Sequence, residues 1–236
     1  MELNKSQWVI QDKFDFLEYL NGFKRSDKVK WSKNILKTDS DVLGMRTNDV
    51  RNIAEEIMKG NFYSFLDLDI VDYYETIAIY GMIISRLSDK KQYLKYIDKY
   101  LAYMNCWAHC DLLQFPLLYE EDNIYLELSK QYLNDPRTMV RRLSLFILFQ
   151  YVKNKKYLER IFSAILELKN EDEYYVIMMA GWLLSECIIL HENETIHFIS
   201  SSSLNKKIVN KSIQKCRESN RLEKEKKDYL LQFKVK

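Results

Sequence analysis

The sequence predicts an all-α protein, and three observations carry that prediction. Turn residues are scarce: 236 residues include 5 Gly and 2 Pro, against averages of ~7% and ~5%. So few reversals do not suit an all-β or multi-hairpin fold. Apolar residues recur at helical spacing along nearly the whole chain. The hydrophobic share of 47% against a charged share of 30% is that of a folded protein with an ample core. No linker, low-complexity tract or Pro/Ser-rich break interrupts the chain, so a single domain over 1–236 is the economical expectation.

The elements follow in order. Helices fit 6–21 and 26–37. The next spans 47–59: Thr47 can cap it, Asp49 suits the positive helix start, and Val50, Ile53, Ala54 and Ile57 form one stripe. Further helices fit 72–87, 89–103, 105–117 and 121–133. Asn134-Asp135-Pro136 reads as a helix start with Pro at the first helical position, and beyond it Val140, Leu143, Ile147 and Tyr151 share a face. After a helix over 154–168, residues 172–190 are apolar nearly all round, the mark of a helix buried between neighbours. The last helices fit 192–200, 204–219 and 222–233.

About a dozen such helices with brief connections make either a globular bundle or a curved stack of helix pairs. One coarse period favours the stack. Trp107 to Arg142 is 35 residues (142 − 107) and Arg142 to Trp182 is 40 (182 − 142), within the ~34–47 residues of paired-helix repeats. Stacked pairs form a superhelix with a concave binding surface.

No apolar run approaches the ~18 residues of a membrane span. Met1 to Trp8 lacks the basic-then-apolar order of a signal peptide. A cytoplasmic location is therefore expected, with Cys106, Cys110, Cys187 and Cys216 reduced. The net charge of +2 is unevenly spread. Residues 205–236 hold 11 Lys/Arg and 4 Asp/Glu, a net of +7, which leaves −5 for the remainder. A basic C-terminal end fits a local anion-binding face or a solvated Lys-rich helix.

Asn105-Cys106-Trp107-Ala108-His109-Cys110-Asp111 is the most informative segment. Trp107 and Asp111 stand four apart and share a helix face. An indole beside a carboxylate suits a cation; on spacing alone, a partly buried Trp with Asp111 capping or facing solvent is the commoner arrangement. Cys106, His109 and Cys110 supply three candidate metal ligands without a second cluster to close a tetrahedral site, so packing accounts for them better and no metal is expected. Arg141 and Arg142 point about 100° apart on a helix; one can clamp a phosphate, or form an ion pair with Asp135 or Glu173. Gly181 inside an apolar helix implies close approach by a neighbour, with Trp182 either core or a second aromatic wall. No Gly-rich phosphate loop, nucleophile elbow or His-carboxylate-Ser arrangement is present, which leaves hydride, phosphoryl and acyl transfer unsupported.

Five stretches, in matching order, resemble the AlkD-like DNA alkylation repair family of HEAT-like-repeat DNA glycosylases. They are Leu43-Gly44-Met45-Arg46-Thr47 with Val50-Arg51, then Cys106 through Asp111, Met139-Val140-Arg141-Arg142, Tyr174-Tyr175-Val176 through Gly181-Trp182 to Glu186, and Asn210 through Ser219. The likeness spans roughly residues 30–220. Where the family often carries Pro after the Arg-Thr pair, this chain has Asn48. The resemblance implies a curved α-solenoid of HEAT-like pairs. It also implies a monomeric enzyme that excises cationic N3- or N7-alkylated purines from double-stranded DNA, with no cofactor. Asp111, Trp107 and Trp182 fall on the family's catalytic cleft, and Arg142 falls near its phosphate-contacting arginine. DNA contacts are further expected from Arg141, Arg46, Arg51, Lys211 and Lys215. Two other functions fit the same pattern: a non-catalytic relative that binds bent or branched DNA, and a helical-repeat scaffold for a protein partner.

Overall fold

The computed structural model describes residues 1–116 and 124–235. These residues form α-helices joined by turns, with no strand among them. Chain contacts divide the protein into two units, Met1–Glu121 and Asp122–Lys236.

The first unit holds α1 (Ile10–Asn21), α2 (Ser26–Leu36), α3 (Thr47–Ile57), α4 (Phe62–Leu66), α5 (Tyr74–Ile84), α6 (Lys90–Tyr103) and α7 (Trp107–Asp111). Each long helix buries the stripe that its period dictates. In α3 that stripe is Val50, Ile53, Ala54 and Ile57, all buried. In α6 it is Tyr93, Tyr96, Ile97, Tyr100 and Leu101. Tyr80 of α5 stacks on Tyr100 with ring centroids 5.9 Å apart, so aromatic rings fill the space between these two helices. Helix α5 is the hub of the unit and packs against α3, α6 and α7.

The second unit holds α8 (Ile124–Tyr132), α9 (Thr138–Phe149), α10 (Leu158–Glu167), α11 (Tyr174–Leu190), α12 (Glu192–Ser201), α13 (Lys206–Glu218) and α14 (Lys224–Tyr229). Its centre is α11, which packs against α9, α12 and α13. From Val176 to Ile188 it is buried at most positions, as an all-round apolar helix requires.

Several boundaries differ from the sequence expectation, each for a local reason. The first helix starts at Ile10 rather than 6, because the Asp12 carboxylate accepts the Val9 N–H (2.8 Å) and pairs with Lys5. That turn directs Trp8 into the core, edge-on to Phe16 and Phe65. Thr47 does not cap α3; it is the first helical residue, after Arg46. Pro136 lies outside α9: Asp135 accepts the Arg137 N–H (2.8 Å) and binds its guanidinium, so the helix begins at Thr138. Helix α4 has five residues, too few to show a period. The helix expected over 105–117 is confined to Trp107–Asp111, because Gln114 N–H turns away to Ser85 Oγ (2.9 Å). Residue 117 of that expectation, and 121–123 of the next, lie outside the described residues.

The close approach expected at Gly181 comes from α13. A Cβ there would lie 2.5 Å from Cγ and 2.7 Å from Cβ of Lys211. These atoms sit at the root of the lysine, so the side chain cannot swing clear. Gly181→Ala should therefore destabilise the protein by about 1–3 kcal/mol, despite the better helix propensity of Ala. Urea unfolding checks this; a neutral or stabilising effect would contradict the packing described.

Candidate active site

Helix α7 has five residues, well short of what an isolated helix needs, so its neighbours must hold it. Trp107 Nε1 donates to the Ile35 carbonyl at the end of α2 (3.1 Å). Tyr100 of α6 donates its hydroxyl to the His109 carbonyl (2.9 Å). His109 Nε2 lies 3.1 Å from the carbonyl of Tyr74, the first residue of α5. Because a carbonyl only accepts, that nitrogen carries the proton. Nδ1 is then the acceptor that faces Cys106 Sγ at 3.6 Å. The Tyr74 ring stacks on the imidazole at 4.8 Å.

Burial lowers the His109 pKa to about 4, against a smaller opposing effect from the Tyr74 carbonyl. His109 is thus a neutral structural brace. Burial, with Cys106 and Glu75 close by, likewise keeps the Tyr74 phenol well above its ordinary range and uncharged. Cys106 and Cys110 are buried. No group of three or more His, Cys, Asp or Glu placed to hold a metal occurs among the described residues.

So braced, α7 turns Trp107 and Asp111 into a cleft of about 580 Å³, which Trp31, Tyr74, Glu75, Met45 and Arg51 also line. Trp31 is 62% exposed. The cleft joins aromatic faces to a carboxylate, an arrangement that attracts cations. Its cationic side chains are Arg51, which donates to Asn48 (3.1 Å), and Arg86, paired with Glu55 at 2.7 Å. Arg46 is exposed, next to the lining residues Met45 and Thr47.

The family model for the DNA alkylation repair enzyme matches residues 17–217. The chain belongs to the DNA alkylation repair family. No curated protein matches it.

In this DNA alkylation repair protein the remaining predicted residues belong to the second unit. Trp182 is half-buried against Phe149, with ring centroids 4.5 Å apart. Arg142 is 5% exposed and donates from Nη1 to the Tyr175 carbonyl (3.0 Å). It and Trp182 meet the α9–α11 contact seven positions apart on α11 (182 − 175), about 10 Å along the axis. Arg141 binds the Glu171 carboxylate through Nε (2.8 Å) and the Asp135 and Pro136 carbonyls through Nη1. The ion partner is therefore Glu171, not the Asp135 side chain or Glu173. Burial pushes the Glu171 carboxyl up, but Arg141 and the Glu173 and Asp172 amides hold it below its ordinary value. Arg141 has Nε, Nη1 and Nη2 all engaged, so a phosphate contact by it would draw on these partners. Lys211 donates to Gln214 (2.9 Å) and Lys215 lies 3.5 Å from Glu218, both at the helix surface.

Sequence reasoning missed Trp31 and Glu75. The signal for Trp31 was present. In the Lys-rich α2 the one buried residue is Leu36, yet Trp31 and Ile35 stand four apart, both exposed. The pair is apolar surface outside the core stripe, and both residues line the cleft. No helix of the described residues is long and apolar enough to cross a membrane.

Proposed function

We propose that the protein is a DNA glycosylase that removes cationic N3- or N7-alkylated purines from duplex DNA. The observation that carries the reading is the cleft in which the Asp111 carboxylate shares its lining with Trp31, Tyr74 and Trp107.

The chemistry needs little else. An alkylated purine already bears positive charge, so the bond from C1′ to the purine nitrogen breaks without a general acid and the base leaves neutral. The charge passes to the sugar as an oxocarbenium ion. Water then adds to C1′, a proton is lost, and an abasic site remains. A fixed carboxylate stabilises the cationic sugar most where water is partly excluded. Tryptophan faces favour the same charge. The lesion would be handled in an open cleft, and backbone contacts and duplex deformation would do the selecting. Arg46 and Arg51 are the DNA contacts proposed for the first unit. Trp182, Arg141, Arg142, Lys211 and Lys215 enter the reading from the sequence and the resemblance. The single domain and the cytoplasmic setting enter from the sequence pattern, the stacked HEAT-like architecture from the spacing of Trp107, Arg142 and Trp182 together with the resemblance, and the monomeric state from the resemblance.

The test is release of methylated purine from alkylated duplex DNA under single-turnover conditions. Wild-type protein is expected to release base and leave an abasic site. No release, or equal release by Asp111→Ala, overturns the reading. Duplex binding without release would indicate a DNA-binding relative in its place, and failure to bind duplex at low salt a protein scaffold.

A further inference from the structure

Glu75, in the first turn of α5, is 2% exposed. Backbone donors converge on its carboxylate. Oε2 accepts the Leu43 N–H (2.9 Å), and Oε1 accepts those of Gly44 (2.8 Å) and Met45 (3.2 Å). A buried acid is strongly unfavourable unless it is paired or hydrogen-bonded, and three donors meet that need here.

The segment that Glu75 grips is pinned on its other side too. Arg25 N–H donates to the Leu43 carbonyl (2.9 Å), and Tyr74 N–H donates to the Asp41 carbonyl (2.8 Å). Gly44 has φ +72°, and a Cβ there would stand 3.0 Å from the Arg25 carbonyl and 3.2 Å from Lys28 Cβ. The course of residues 43–45 is therefore fixed between α2 and α5. Cleft residues hang directly on that course. Met45, itself clamped, and Thr47 two positions on line the cleft with Asp111. Elsewhere along α5 the buried positions Ile77, Ala78, Ile79 and Tyr80 fill space with apolar groups. At position 75 the chain instead buries an acid that fixes backbone direction.

We infer that Glu75 is a positioning residue of the cleft: its carboxylate holds the Leu43–Met45 backbone and so sets the Met45–Thr47 wall of the site that contains Asp111. The inference rests on the glycosylase reading above. Glu75→Gln removes the grip without removing the bulk. The amide offers one oxygen; if that faces Gly44 and Met45, its NH2 group confronts the Leu43 N–H, donor against donor.

Two measurements test this. In the wild-type protein, hydrogen exchange at the amides of Leu43, Gly44 and Met45 should be at least about a hundredfold slower than in a free peptide. Free-peptide exchange there would overturn the clamp even if Glu75→Gln failed to fold. In single-turnover excision at saturating protein, Glu75→Gln should lower the rate by about tenfold to a hundredfold, as small misplacements do. Its affinity for undamaged duplex should stay within about threefold. Ile165→Val, a core change in the second unit, controls for general destabilisation at matched distance from the melting temperature. An equal rate loss in that control, or an unchanged rate in Glu75→Gln beside an active wild type, overturns the assignment and leaves the glycosylase reading intact. No release by the wild type overturns that reading, and this one with it.

Discussion

Asp111→Asn should slow excision of a cationic purine by about 10²–10³-fold, a loss of about 3–4 kcal/mol of transition-state stabilisation. The size follows from charge. Unit charges 4 Å apart at an effective dielectric of about 20 attract by about 4 kcal/mol, and asparagine keeps the shape while removing that attraction. The braces of α7 described above run through Trp107, His109 and Tyr100, which the substitution leaves in place. The effect should therefore fall on the rate at saturating protein. Affinity for undamaged duplex should be unchanged or higher, because a carboxylate repels phosphates. Single-turnover kinetics beside filter-binding affinities separate the two. An Asp111→Asn rate within about twofold of wild type would remove the carboxylate from the mechanism.

Acid should destabilise the protein through His109. Its pKa is about 4 when folded, lowered by burial, against about 6.5 when unfolded. A group that binds its proton less readily when folded contributes stability above the unfolded pKa. That contribution falls as pH drops from about 6.5 to about 4 and then levels off. Between pH 7 and pH 5 the loss should be about 2 kcal/mol. Urea titrations at the two pH values should show it in wild type and largely lose it in His109→Gln, which can still donate to the Tyr74 carbonyl but does not titrate. Equal pH slopes for the two proteins would place the sensitivity elsewhere. Because His109 braces α7, activity should fall with stability over the same window.

The α3 stripe was legible in the sequence because Val50, Ile53, Ala54 and Ile57 sit at the helical period, and local periodicity is what a sequence displays. Trp107 and Asp111 were legible for the same reason, being one helical turn apart. Contacts between distant segments were hidden. Nothing local says that Glu75 reaches the amides of 43–45, about thirty positions earlier, or that Arg141 selects Glu171 over the nearer Asp135 carboxylate. Trp31 has Ile35 one turn away in the sequence, but only the fold shows that both stand clear of the core and that Trp31 shares a cleft with Asp111. Helix ends were misjudged where a side chain redirected the backbone, as Ser85 does at Gln114 and Asp135 at Arg137. Period reveals which face is buried; it does not reveal which polar atom halts a helix.

The five residues of α7 have a consequence for inheritance. The helix owes its place to Tyr74, Tyr100 and the α2 carbonyl that receives Trp107. Selection that preserves the cleft therefore acts also on Tyr100 and His109, which hold α7 without lining the cleft. Among naturally arising variants of this gene, loss of repair should cluster at Tyr74 and Tyr100 as well as at Asp111. Lineages that exchange His109 should carry compensating changes at Cys106 or Tyr74, its ring neighbours.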